Sequence, residues 1–490
     1  MAYPFGAPPE PNGQGWSFPH LQLKRLISSL LPKPKRFTPS MQSRSRPRKL
    51  QFEPLEPRLL LSADLAFAAD PGGSDLTLRL DNIDGVDTVV LVDNEIADPL
   101  AQVVASQALA DTSAVVIAGN TGADRLEVDQ SNPFIVPIRF EDTNAGDGDT
   151  LELTGALSGS WLLSGSNAGD AGDVGFSGIE RLTGGGGDTL AGSDADNTWL
   201  ITADGAGSVG GLSFSGFESL VGGSGADDFV FTGGSTTSID GGGGGDSLDL
   251  SADTVGVTVD LDAGTADYAG FINDIESVTT GSGDDIVIGA LNPVALDTGT
   301  GNDTLDYSLQ SSPLTLDISS GSLLGIESIL GGSGDDTLFG PAVDTNWNIT
   351  GADSGSVAGI SFDSFENLVG QAGNQDVFSF SGTGSISGTI DGGSAGFDSL
   401  VITDGNFDTV TFTPSGPDSG TIDLDGNVIS YVGLEPVDTS GASMATVNLM
   451  GTASNNTATL TNSGGNFIFD APGIESHTFQ APTSELNIDL

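Results

Sequence analysis

Gly222-Gly223-Ser224-Gly225-Ala226-Asp227-Asp228-Phe229 decides how the rest of the chain is read, because it keeps returning. Full copies are Gly241-Gly242-Gly243-Gly244-Gly245-Asp246-Ser247-Leu248 and Gly331-Gly332-Ser333-Gly334-Asp335-Asp336-Thr337-Leu338. Altered copies carry Asp188, Asp285 and Asp303, looser ones place Asp124, Asp149 and Asp398, and one copy has Gln375 where the acid is expected. The step from 149 to 188, 188 to 227, 246 to 285 and 336 to 375 is 39; from 227 to 246 it is 19, and from 285 to 303 it is 18. These steps are near one or two units of about 19, and two intervals deviate, 303 to 336 at 33 and 375 to 398 at 23, as short deletions or insertions in a turn would produce. Equal arc length per coil is what a β-solenoid requires, because each coil must stack on the last to bury its apolar side chains. The spacing predicts an all-β fold, a parallel β-solenoid of the β-roll or β-helix kind, with coils of about 19 residues.

Between the loops the chain alternates as strands do. Leu76, Leu78 and Leu80 alternate with other residues; Val257, Val259 and Leu261 interleave with Thr258, Asp260 and Asp262; and Leu314, Leu316 and Ile318 interleave with Thr315, Asp317 and Ser319. Period two with β-branched residues predicts strands with one buried face. A longer duplication runs from Asn197-Thr198-Trp199 to Gly222 and again from Thr345-Asn346-Trp347 to Gly370, with a partial third copy from Trp161 to Glu180. Three of the four tryptophans thus share one repeat position, which predicts buried fillers; a sugar-stacking platform is the alternative.

Composition narrows the function classes. Glycine is 72 of 490 residues, as expected of a chain built from tight turns, and the net charge of −53 opposes contact with nucleic-acid phosphates. There is no cysteine, which removes disulfides, zinc-thiolate sites, iron-sulfur clusters and thiol catalysis. Only His20 and His477 are available to a catalytic triad or a metalloprotease helix, which leaves almost nothing to build either from. No apolar run reaches the ~18 residues of a membrane span.

The charge is unevenly placed. Positions 1–70 hold ten of the 14 basic residues and five of the 67 acids, and are rich in Pro and Ser, so this basic leader reads as a disordered or targeting segment. Its best apolar stretch for export, Leu59 to Ala69, follows Arg58 and is interrupted by Asp64. Within the leader, Leu55-Glu56-Pro57-Arg58-Leu59-Leu60-Leu61-Ser62-Ala63-Asp64 resembles the LEPR-XLL motif found near the N-terminus of large exported bacterial repeat proteins, and matches every fixed position. The resemblance implies export, to the cell surface or the extracellular medium.

The glycine loops resemble the haemolysin-type (RTX) calcium-binding nonapeptide Gly-Gly-x-Gly-x-Asp-x-apolar-x, whose family fold is a parallel β-roll. Glycine reaches conformations that turn carbonyls inward, and Ca²⁺ takes about six to eight oxygens at about 2.3 to 2.6 Å. The resemblance implies ions held between loops one coil apart. Two pairs have that spacing, Asp227 with Asp246 and Asp285 with Asp303, and these four are the principal expected ligands. Asp188 and Asp336 sit in good loops without a neighbour at one coil, so incomplete, weaker sites are expected there. The chain departs from the family in its long spacers between nonapeptides. For the loose loops at 124, 149 and 398 the simpler reading is that the aspartate caps its own turn. The glutamate of a recurring Ile/Phe-Glu-x-apolar motif (Glu180, Glu218, Glu276, Glu327, Glu366) is left outside the site set.

Three segments follow: a leader at 1–70, a repetitive solenoid at 71–430, and terminal coils or a small β cap at 431–490, where His477 is expected as a surface or packing residue without a partner. The expected function is that of an exported, surface-associated or secreted structural or adhesin-like protein, not an enzyme, with Ca²⁺ as cofactor and extracellular glycans or matrix components as partners. The alternative is a right-handed β-helix carbohydrate-active enzyme, a glycoside hydrolase or lyase, for which two carboxylates must converge in a cleft.

Overall fold

A computed structural model describes residues 63–99, 101–144, 146–155, 159–289, 295–452 and 457–490. The His20 region and the basic leader up to residue 62, with most of the LEPR-XLL segment, lie outside the described residues. Strand structure is already present before the expected boundary at residue 71. Ala63–Ala68 is a strand that pairs in parallel with Thr112–Ala118, buries Leu65, and receives a hydrogen bond from the Ser113 hydroxyl on Asp64.

The fold is all-β. Among the described residues there is no α-helix, only a 3-10 turn at Leu109–Asp111, and the strands join into one hydrogen-bonded network of 36 and a second of nine. Most pairings between successive turns of the chain are parallel. Alternation is realised as expected: Asp75–Ile83 buries Leu76, Leu78 and Leu80 and turns the residues between them outward. Many strands are only three residues long with a buried centre, as in Ser247–Asp249, Ser277–Thr279 and Thr304–Asp306.

These buried centres stack in register into apolar rows. One row runs Trp199, Phe229, Leu248, Val278, Leu296 and Leu323. A second runs Val259, Val287, Leu305, Ile329 and Phe362, and a third Leu316, Leu338, Leu368, Ile390 and Tyr431. A single hydrophobic core links them from Leu65 to Phe479. Each fully buried large side chain in such a row contributes on the order of 1.5 to 3 kcal/mol.

Trp161, Trp199 and Trp347 are all buried, so the filler reading describes them. Trp199 lies nearly parallel to Phe229, with ring centroids 5.7 Å apart, and Trp347 to Phe378 at 5.3 Å. Each tryptophan also opens a β-hairpin excursion, as in Thr198–Ala203 with Ala206–Val209 and Asn346–Gly351 with Ser354–Val357. These hairpins change the arithmetic of the repeat. Residues in register are 19 apart at Phe229 and Leu248 and 18 apart at Val287 and Leu305, but 30 apart at Trp199 and Phe229 and 31 apart at Trp347 and Phe378. The spacing of about 19 is therefore the shortest step, and the longer steps include added chain.

Strand pairing continues into the C-terminal segment, where Trp347, Phe378, Leu400, Val437 and His477 form one row. His477 thus occupies a core position and is not without a partner. It is 1 % exposed, its Nε2 is 2.7 Å from Glu475 Oε1, and its ring lies 4.3 Å from that of Phe412. The Tyr431 hydroxyl donates to the same Glu475 oxygen. Burial, together with the Glu475 carboxylate, raises the Tyr431 pKa well above its ordinary value.

Candidate functional site

Two residues before buried centres of the first two apolar rows runs a short row of acids, because the repeat there is Asp-x-apolar. The Asn197 amide donates to Asp227 Oδ1 at 2.8 Å, the Asp227 amide to Asp246 Oδ1 at 2.8 Å, and the Asp246 amide to Glu276 Oε2 at 2.8 Å. The second row repeats the pattern: Val257 to Asp285 Oδ1 at 2.8 Å, Asp285 to Asp303 Oδ1 at 2.8 Å, and Asp303 to Glu327 Oε2 at 2.9 Å. Each carboxylate accepts the main-chain N–H of the preceding member, one turn of the chain earlier. The structure brings together both expected pairs, Asp227 with Asp246 and Asp285 with Asp303.

The roles of five glutamates and of Asp376 were not read from the sequence. Glu276 and Glu327 close the two rows just described, Glu366 accepts the Asp336 amide at 2.7 Å, Glu180 that of Asp149 at 3.0 Å, and Glu218 that of Gly187 at 2.6 Å. Glu180, Glu276, Glu327 and Glu366 do the same work as an aspartate, with one more methylene, and Glu218 accepts instead from Gly187, the residue before Asp188. Their fixed place before x-apolar was the available signal. The copy with Gln375 has not lost its acid: Asp376, one residue later, accepts the Thr345 amide at 3.0 Å and donates its own to Asp398 Oδ1 at 2.8 Å. The amides two residues before the three tryptophans, those of Gly159, Asn197 and Thr345, each donate to the first aspartate of a row, Asp188, Asp227 and Asp376. Trp and Asp are thus coupled parts of one repeat.

The glycines make room for these carboxylates. A Cβ on Gly222 would lie 2.4 Å from Asp227 Oδ2 and 2.3 Å from the Gly241 carbonyl oxygen, and one on Gly241 would lie 2.6 Å from Asp246 Oδ2. The carboxylate folds back over the first glycine of its own loop, which accounts for the five-residue spacing from Gly222 to Asp227 and from Gly241 to Asp246.

The two classes of aspartate differ in their second oxygen. Asp227, Asp246, Asp285 and Asp303 are all buried, and in each Oδ2 is closed to solvent and has no hydrogen-bond partner among the described residues. Asp188 Oδ2 accepts the Gly185 amide at 2.7 Å and the Trp161 indole N–H at 3.3 Å; Asp336 Oδ2 accepts the Gly332 amide at 2.7 Å. Asp188 and Asp336 are therefore satisfied by the protein alone, whereas the paired four each keep an unmatched oxygen. A buried carboxylate oxygen without a donor is costly unless a proton or a cation reaches it. Burial raises the carboxyls of Asp227, Asp246 and Asp303 above the ordinary aspartate value, against the amides that bond to them and, at Asp303, the Thr298 hydroxyl. Asp376, buried and with the Asn374 side chain and Thr345 amide opposing, is pushed up to about 6. An all-oxygen donor set suits a hard cation such as Ca²⁺ rather than a soft or borderline metal.

Asp124 and Asp149 join in the same way: the Asp124 amide donates to Asp149 Oδ1 at 2.7 Å. A surface cleft elsewhere, lined by Phe231, Leu250, Thr254 and Tyr268, carries one carboxylate, Asp253. The chain matches no protein-family model, no curated protein and no solved structure.

Proposed function

We propose that this protein is an exported or surface-associated β-solenoid that serves as a structural or adhesin-like element and binds Ca²⁺ in its Gly-Asp loops. The carrying observation is the contrast among the loop aspartates: Asp227, Asp246, Asp285 and Asp303 keep an unpartnered buried oxygen, while Asp188 and Asp336 have both oxygens bonded. Ions at the two pairs neutralise acids in a chain of net charge −53, and an ion bound only by the folded form stabilises it by mass action. The parallel in-register rows support closure into coils, and the LEPR-XLL resemblance supports export. A carbohydrate-active enzyme would need two carboxylates converging in a cleft, and the cleft at Tyr268 brings one.

Calorimetric titration of the full chain with CaCl₂, with melting curves in chelator and in Ca²⁺, tests the reading. Uptake that is reduced by Asp227→Asn and Asp285→Asn, and unchanged by Asp188→Asn, is expected. Uptake insensitive to the first two substitutions overturns the loop assignment. A glycan-array screen of the Ca²⁺-loaded protein addresses the adhesive role, for which binding to surface or matrix glycans is expected.

A further inference from the structure

A second acidic constellation gathers around the loose loop copy that carries Asp149, in the segment Asp142-Thr143-Asn144 followed by Asp147-Gly148-Asp149. One carboxylate oxygen from each of Asp142, Asp147 and Asp149 lies within 4.8 Å of the others. Each of these aspartates has its other oxygen held by the backbone. Asp142 Oδ1 accepts the Thr143 amide at 2.6 Å, Asp147 Oδ2 the Gly122 amide at 2.9 Å, and Asp149 Oδ1 the Asp124 amide at 2.7 Å. That leaves Asp142 Oδ2, Asp147 Oδ1 and Asp149 Oδ2 closed to solvent and without a hydrogen-bond partner among the described residues. Asp142 is 6 % exposed and Asp149 0 %. Asp124, 1 % exposed, has a further unmatched oxygen, Oδ1.

Convergent carboxylates of this kind need a proton or a counter-charge between them. No cationic side chain supplies one: among the described residues the ion pairs are those of Arg79, Arg125 and His477, and none reaches this cluster. Two oxygens bound to one Ca²⁺ at about 2.3 to 2.6 Å can be at most about 5 Å apart, and the three carboxylates meet that limit without rearrangement. We propose that Asp142, Asp147 and Asp149 form a separate Ca²⁺ site, chelated by three carboxylates, that ties the 120–124, 142–149 and 180 turns together. The Asp149 and Gly146 amides are both bonded to Glu180, so the loop is already fixed to the following turn. The site takes Asp149 from the loose loop copy and adds Asp142 and Asp147 from outside it, so it stands on the convergence of three carboxylates and not on the paired loops.

The test uses the full chain and CaCl₂ alone. Asparagine keeps the oxygen that the backbone amide needs and removes the charge. Asp142→Asn with Asp149→Asn is expected to take up one fewer Ca²⁺ per chain than the parent, and to melt in chelator at the same or a higher temperature. Should that double variant fail to give a cooperative melt in chelator, the partly exposed Asp147→Asn is expected to show the same loss. Unchanged stoichiometry in these variants overturns the proposal. Asp227→Asn with Asp285→Asn separates the two readings: an ion that survives in this variant and is lost in Asp147→Asn belongs to the three-carboxylate site, whatever becomes of the loops.

Discussion

The Asp227 amide donates to Asp246 Oδ1 at 2.8 Å, although the two residues are 19 apart in the chain and both are fully buried. This bond makes the second aspartate of a pair an inter-turn cap as well as a candidate ligand, and the two roles separate by substitution. Asp246→Ala leaves the Asp227 N–H buried and unbonded, which costs about 1 to 3 kcal/mol. Asp246→Asn keeps an acceptor and is expected to unfold near the parent midpoint in chelator. Urea denaturation in chelator and in Ca²⁺ reads both: the Asn variant is expected to lose part of the Ca²⁺-dependent gain while keeping the Ca²⁺-free stability. Equal destabilisation by Ala and Asn in chelator would count against the capping role.

Glycine at the first position of a loop is a steric requirement. Gly222→Ala places its Cβ against the Gly241 carbonyl and Asp227 Oδ2, at 2.3 and 2.4 Å, so the two turns must move apart. Overpacking of this kind costs about 1 to 3 kcal/mol. Gly245, in the neighbouring loop, has nothing within 4 Å of a Cβ, and Gly245→Ala is expected to leave the thermal midpoint close to the parent value. A Gly222→Ala variant as stable as Gly245→Ala would show that the loops do not approach as closely as described.

The acid rows and apolar rows were legible because aspartate and its apolar partner keep a fixed two-residue offset, visible in Asp227 with Phe229 and Asp246 with Leu248. Three things hid the remainder. Hairpins opened by Trp161, Trp199 and Trp347 lengthen some steps to about 30 residues, so equal sequence spacing does not mean equal position in the stack. Glutamate substitutes for aspartate in accepting the amide, so a repeat sought as Gly-Asp misses Glu276 and Glu366. A one-residue slip moves the acid from position 375 to Asp376, and its hydrogen bonds with Thr345 and Asp398 reveal it. His477 was illegible for a related reason: its position in the row of Val437 and Leu400 asks for an apolar side chain, and the chain supplies an imidazole with Glu475 beside it.

The row beginning at Trp347 offers a packing test. Its indole is fully buried and lies almost parallel to Phe378, so Trp347→Ala is expected to cost about 3 to 5 kcal/mol and Trp347→Phe distinctly less. Phe397, 74 % exposed, provides the comparison, since Phe397→Ala removes an aromatic ring from the surface and is expected to change stability by under about 0.5 kcal/mol. Chemical denaturation of the three variants measures the difference. A Trp347→Ala variant no less stable than Phe397→Ala would remove the filler role.

The carboxyl shifts give the Ca²⁺-free protein an unusual pH dependence. Burial, with the Asp142 carboxyl beside it, pushes Asp149 up to about 8; burial pushes Asp376 up to about 6 and raises Asp124, Asp227, Asp246, Asp303 and Asp398 from an ordinary value of 3.8. A raised acid binds its proton more tightly in the folded chain, so between 3.8 and the folded value the native state holds more protons than the unfolded state, and stability falls as pH rises. The Asn144 side chain holds Asp147, and the Tyr268 hydroxyl Asp253, below the ordinary value; those two groups are ionised in both states above about pH 5 and add no slope there. In chelator the melting temperature is therefore expected to fall from about pH 5 to about pH 8. On the proposed calcium reading, Ca²⁺ is expected to take the place of the missing protons and to bind more tightly as the acids ionise; a ligand at about 100 times its dissociation constant adds about 2.7 kcal/mol per site. The gap between the two melting curves is expected to widen with pH, and a chelator curve that is flat or rises across this range would contradict the buried unpartnered carboxylates.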